Sequence, residues 1–155
     1  MPVLRTPALQ LSVRAALAAG LAYGVSSLFS SDDEVYALVA AVIVTDLSPT
    51  STRQLAWQRL AGTLVGAGAG ATMTYGMAAG PLAVAAGILI AMLLTFVLRL
   101  DGAAKIAGYV AGIVLVHAGD PWAYAALRAL DTTIGIIAAL LVSFVPKLLE
   151  RSKPP

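Results

Sequence analysis

Residues 82–98 read LAVAAGILIAMLLTFVL, and this stretch decides the fold. It carries no charged side chain, and its length of about 17 residues is enough to cross the hydrocarbon core of a bilayer as a helix. Turn signals bound it on both sides, with GP at residues 80–81 and RLDG at residues 99–102. The stretch therefore predicts a membrane-spanning helix.

The rest of the chain has the same apolar character. Of its 155 residues, 59% are hydrophobic and 12% are charged, and the mean hydropathy is +0.88, which leaves too little polar surface for a water-soluble globule. Further apolar stretches predict helices at residues 9–29, 35–47, 60–79, 103–118 and 122–145, followed by a basic tail at 146–155. We predict an all-α fold, in which residues 1–155 form a single transmembrane domain, a polytopic membrane bundle of about six helices.

Several classes of function do not fit the composition. The chain has no cysteine, which excludes disulfides, thiolate metal sites and cysteine nucleophiles. No predicted helix face combines a pair of carboxylates, a metal-binding cluster or an activated nucleophile, so we expect neither an enzyme nor a cofactor. The basic residues are scattered along predicted loops, so we expect no nucleic-acid partner.

The predicted loops separate basic from acidic side chains. Because short cytoplasmic loops retain Lys and Arg, we place the N terminus inside the cell. The predicted cytoplasmic segments then hold Arg5, Arg53, Arg59, Arg99, Lys105, Lys147, Arg151 and Lys153. The predicted outer segments are acidic and hold Asp32, Asp33, Glu34 and Asp120. We expect a multi-pass protein of the inner or plasma membrane with both termini cytoplasmic.

The frame R-x-x-[GD]-T-x-x-G occurs twice, at residues 59–66 and 128–135. Each copy lies in the third helix of one half of the chain, and the second helix of each half is short and ends near a proline, Pro49 or Pro121. This pattern predicts two inverted three-helix repeats, with a transport site near the short helices. The alternative is a chance recurrence in a chain rich in glycine and alanine.

Glycines four residues apart indicate where helices contact each other closely, because glycine lets backbones approach. Such pairs occur at residues 20 and 24, at residues 62, 66 and 70, and at residues 108 and 112. We predict packing faces in the first, third and fifth helices.

The motifs resemble those of the fusaric acid resistance and aromatic acid exporter superfamily of bacterial membrane proteins, which also includes plant malate channels. The resemblance spans nearly the whole chain and rests on VRAALAAG at residues 13–20, the break at Pro49 and the two R-x-x-[GD]-T-x-x-G copies. It implies a six-helix membrane unit associated with efflux of organic acids, driven by the proton gradient where members are active pumps. Typical exporters of the superfamily contain two such units and a cytoplasmic region, so we expect this shorter chain to form a homo-oligomer.

The candidate substrate-binding residues are arginines, because a guanidinium fork binds a carboxylate through charge-assisted hydrogen bonds. They are Arg14, Arg53, Arg59 and Arg128. The candidate proton-coupling residues are Asp46, His117 and Asp131.

Most of these residues also have a structural interpretation. Arg14 could extend its guanidinium back to the membrane interface, and Asp46 could form an ion pair with a neighbouring arginine at the helix end. Arg128 and Asp131 could form an internal salt bridge at i, i+3 spacing, and His117 could be an interfacial polar residue.

We predict a membrane transporter subunit that exports small organic acids, aromatic ones included, with proton coupling. Its expected partners are the organic anion, the lipid bilayer and further copies of the chain. The alternatives are a homo-oligomeric anion channel, which needs no proton coupling, and a membrane scaffold or partner subunit without transport.

Overall fold

A computed structural model describes residues 7–29, 35–78 and 80–144 of the protein. These residues form six α-helices: α1 (Pro7–Ser26), α2 (Val35–Val44), α3 (Pro49–Thr74), α4 (Pro81–Val97), α5 (Ala104–Val116) and α6 (Pro121–Ser143). Short 3₁₀ turns lie at Ser27–Phe29 and Asp101–Ala103, and the described residues contain no strand. The predicted all-α fold class is confirmed. Arg5, the acidic residues 32–34 and the tail 146–155 lie outside the described residues.

The helices differ in how far they could reach across a bilayer. Two segments, Pro7–Phe29 and Pro121–Ser143, are long and apolar enough to cross a membrane. The ten residues of α2 extend only about 15 Å, which is half the thickness of a typical hydrocarbon core. The 17 residues of α4 are at the lower limit of length for a membrane span, and the 13 residues of α5 fall below it. Six complete membrane spans and the inverted repeat therefore stay predictions.

The start of α3 differs from the sequence-based prediction. The helix begins at Pro49, whereas the sequence predicts a start at residue 60 and a break at Pro49. Proline suits the first position of a helix, where its missing N–H has no partner to lose. The Ser48 hydroxyl accepts a 3.5 Å hydrogen bond from the Ser51 N–H, as an N-terminal cap does. Arg53 therefore lies in a helix rather than in a connecting segment.

The start of α6 likewise combines a proline at the first helical position with a capping side chain before it. Pro121 is again the first helical residue, and the carboxylate of Asp120 accepts hydrogen bonds from the N–H groups of Trp122, at 2.9 Å, and Ala123, at 3.3 Å. A cap of this kind contributes about 1 kcal/mol to helix stability. Both prolines thus initiate a long helix.

The chain forms two compact units. The first comprises the described residues within 1–55 and 134–155, and the second comprises those within 56–133. In the first unit, α1 packs on α2, and the part of α6 that belongs to this unit approaches α2 at Gly135. A methyl group on Gly135 would lie 2.7 Å from the Ala40 Cβ, so the two helices meet there at backbone distance.

In the second unit, α4 packs on α5, and α3 contacts α5 through glycines. A methyl group on Gly66 would lie 2.8 Å from the Cα of Ala107, and one on Gly70 would lie 2.9 Å from the carbonyl oxygen of Ala111. Small side chains complete the contact, and a buried cluster comprises Ala67, Ala71, Val110, Val114, Tyr124 and Ala125. In α1, by contrast, no described atom beyond the adjacent helix backbone lies within 4 Å of the position a Cβ would take at Gly20 or Gly24, so the predicted close packing at these two glycines is absent among the described residues.

The contact at Gly66 gives a test of this packing. Gly66→Ala should destabilise the protein by about 1–3 kcal/mol, because the new methyl group meets the backbone of α5, which cannot rotate away. Gly68→Ala, two residues further along the same helix, has open space and should instead stabilise it by up to about 1 kcal/mol through helix propensity. Thermal unfolding in detergent, followed by circular dichroism, measures both. Equal effects of the two substitutions would contradict the backbone contact.

Candidate functional site

Two buried arginines in the second unit form the centre of the candidate site. Arg59 in α3 is 2% exposed and Arg128 in α6 is 3% exposed. Each precedes by one helical turn a threonine of the R-x-x-[GD]-T-x-x-G frame, and the Oγ1 atoms of Thr63 and Thr132 lie 3.4 Å apart. The two copies of the frame therefore meet at equivalent positions.

Arg128 is neutralised within its own helix. Its Nη2 lies 3.0 Å from Oδ2 of Asp131, which is 2% exposed, and the two residues are three apart in sequence. The guanidinium carbon also lies 4.6 Å from the centroid of the Tyr124 ring, a cation–π distance. The predicted pairing of Arg128 with Asp131 is thus present as a buried ion pair.

Arg59 has no such counter-ion among the described residues. Its guanidinium carbon lies 5.2 Å from the centroid of the Tyr109 ring on α5. Its Nε and Nη1 atoms are buried and have no hydrogen-bond partner within the described parts of the chain. The residue that corresponds to Asp131 in this copy of the frame is Gly62. Arg59 is therefore a buried cation whose charge the surrounding described side chains do not balance.

The other candidates lie in different settings. Arg14, in the first unit, is half-buried and its Nη1 donates a 3.2 Å hydrogen bond to the carbonyl oxygen of Leu47. Asp46 accepts a 3.1 Å hydrogen bond from the N–H of Ser48, next to the start of α3. Arg53 is exposed on α3. These three residues belong to the first unit, whereas Arg59 and Arg128 belong to the second.

His117 ends α5 and is exposed. Its imidazole stacks on the Tyr124 ring, with the centroids 3.6 Å apart and the planes at 4°. Since Tyr124 also contacts Arg128, two of the three candidate proton-coupling residues, His117 and Asp131, belong to one connected cluster. Asp46 is not part of this cluster.

Sequence reasoning missed both tyrosines. Tyr124 precedes Arg128 by four residues on one helix, so i, i+4 spacing was a usable signal. Tyr109 reaches Arg59 from another helix, and nothing in the local sequence indicates that contact.

The Arg128–Asp131 pair can be tested by a double-mutant cycle. Arg128→Gln alone leaves a buried carboxylate without its cation and should destabilise the protein by about 3–5 kcal/mol. The double variant Arg128→Gln/Asp131→Asn removes both charges and should recover much of that loss. Unfolding in detergent measures the cycle, and a double variant no more stable than the single one would argue against a coupled ion pair.

Comparison with known proteins agrees with the motif-based resemblance. A family model described as fusaric acid resistance protein-like matches residues 21–142, which include both copies of the frame. The VRAALAAG stretch and Arg14 precede the matched region. No curated protein and no solved structure matches the chain. Since the match covers most of the sequence, the chain belongs to the fusaric acid resistance protein-like family, and its apolar helices accord with a membrane protein.

Proposed function

We propose that the protein is a membrane transporter subunit that moves small organic anions, aromatic carboxylates included, out of the cell, with Arg59 as the anion-binding group. The observation that carries this proposal is the burial of Arg59 with no balancing carboxylate among the residues that the structure describes. Membership of the fusaric acid resistance protein-like family supports a role in membrane transport. The residues present argue for binding and translocation rather than for an enzyme or a cofactor protein.

The buried charge of Arg59 carries a free-energy cost. Removing a guanidinium from water is expensive unless an opposite charge or hydrogen-bond acceptors replace the water. Tyr109 compensates only in part, since its ring stabilises a cation by about 0.5–2 kcal/mol and its hydroxyl, which is hydrogen-bonded to the guanidinium, is not a full counter-ion. An organic carboxylate would supply both the negative charge and acceptor oxygens for the unpaired Nε and Nη1 donors. Anion binding would therefore relieve a cost that the folded protein carries.

The remaining arginines receive other roles in this proposal. Arg128 is held by Asp131, and Arg14 hydrogen-bonds a backbone carbonyl, so neither is the primary anion contact. Proton coupling would act at Asp131, because protonation of its carboxylate would weaken the ion pair with Arg128. His117, exposed at the end of the stacked cluster, would exchange protons with water.

The arrangement of the six helices in the bilayer is part of the proposed function. All six helices would lie in the inner or plasma membrane, arranged as two inverted three-helix repeats with both termini cytoplasmic. The short helices α2 and α5 would face protein or water at their ends. Assembly of several copies would complete the pathway.

Benzoate flux into proteoliposomes tests the role of Arg59. Arg59→Gln should reduce the flux at least about tenfold, because charge-assisted hydrogen bonds to the carboxylate are lost. The matched control is Arg99→Gln, which removes the same charge from an exposed position after α4. Arg59→Gln protein that folds and transports benzoate as fast as the control would contradict the assignment.

The same vesicles distinguish the mechanisms. Flux that requires an imposed pH gradient indicates a proton-coupled exporter. Flux that is independent of the gradient and carries current indicates an anion channel, the second candidate that buried arginines support. Absence of benzoate flux both with and without the gradient would favour a scaffold or a partner-dependent subunit.

A further inference from the structure

The two copies of the R-x-x-[GD]-T-x-x-G frame differ at one position that controls charge. The second copy places Asp131 one turn after Arg128, and the two form a buried ion pair. The first copy places Gly62 at the equivalent position after Arg59. One arginine therefore carries its counter-ion on the same helix, whereas the other has none there.

Packing explains why Gly62 bears no carboxylate. A Cβ atom on this residue would lie 2.6 Å from the Ile106 Cβ and 2.8 Å from the carbonyl oxygen of Ala103. Neither atom is the end of a flexible side chain, so α5 and the 3₁₀ turn before it leave no room for a side chain at this position. The close contact between α3 and α5 thus prevents Arg59 from being neutralised in the way that Arg128 is.

The remaining charged groups of the second unit do not add to the buried charge. Its other basic side chains, Arg99 and Lys105, are exposed, as is His117. Its acidic residues other than Asp131 are Asp101 and Asp120, which are exposed as well. Arg59 therefore contributes one unbalanced positive charge to the buried part of residues 56–133.

We propose that the Arg59 site selects singly charged carboxylates over doubly charged ones. This inference rests on the proposed function, since it takes Arg59 as the anion-binding group. A monocarboxylate balances the guanidinium charge. A dicarboxylate brings a second negative charge into a buried setting where the described part of residues 56–133 holds one other buried cation, Arg128, which is paired with Asp131. Burying an unpaired charge is costly enough to give a preference of at least about tenfold.

Succinate and monomethyl succinate form a matched pair of probes, because they share a carbon skeleton and differ by one charge at about pH 7. Isothermal titration of the protein, residues 1–155, in detergent and chloride-free buffer should show that monomethyl succinate binds at least about tenfold more tightly than succinate. Dimethyl succinate, which is uncharged, controls for the greater hydrophobicity of the ester and should show no binding that depends on Arg59. Succinate that binds as tightly as its monomethyl ester would overturn the proposal.

Two variants connect the selectivity to Arg59. Arg59→Gln should lose binding of monomethyl succinate, whereas Arg59→Lys keeps the charge and should retain the preference for the monoanion with weaker binding. Circular dichroism verifies that each variant is folded. A preference that persists unchanged in folded Arg59→Gln would place the selectivity elsewhere and refute the proposal.

Failure of this inference differs from failure of the proposed function. Equal binding of the two anions, together with vesicle flux that depends on Arg59, would refute charge selection and leave transport standing. Selective binding without flux of any carboxylate would refute transport and leave charge selection standing.

Discussion

The close contact between α3 and α5 is the constraint on which most of the second unit depends. At Gly62, Gly66 and Gly70 the two helices meet at distances that exclude even a methyl group. In a lipid environment the hydrophobic effect does little to drive helices together, so such backbone contacts, with their many van der Waals interactions, replace it. The contact also brings Tyr109 over Arg59 and determines that Gly62 bears no side chain.

Helix packing in the second unit determines which of its two buried arginines has a counter-ion. Arg128 has space for a carboxylate on its own helix, and the resulting ion pair is compact and neutral. Arg59 has an aromatic ring above it and tightly packed neighbours beside it, so its charge stays unbalanced by the described residues. The Thr63–Thr132 contact brings these two differently balanced copies of one motif together. A sequence motif that is nearly symmetric thus gives a site whose electrostatics are asymmetric.

Local sequence patterns predict much of the fold, whereas the contacts around Arg59 depend on residues far apart in the sequence. The long apolar runs, the all-α fold and the two motif copies are properties of neighbouring residues, so they were visible in the sequence. The start of α3 could not be predicted in this way, because a serine followed by a proline can either end one helix or begin another. The capping hydrogen bond from the Ser51 N–H to the Ser48 hydroxyl shows that it begins one. The contact of Tyr109 with Arg59 joins two helices, and the crowding at Gly62 depends on the path of α5.

The crowding at Gly62 also constrains how this site could evolve. The charge of Arg59 cannot be balanced by an acidic substitution at Gly62, because α5 and the turn before it occupy the space that any side chain would need. The equivalent position in α6 already holds a side chain, Asp131. A single codon change to asparagine would remove the negative charge that balances Arg128 and would keep a side chain of nearly the same shape. Loss of the acid in α6 would therefore leave two unbalanced buried arginines, which favours more highly charged anions. Gain of an acid at Gly62 in α3, which would neutralise Arg59, is prevented by the packing.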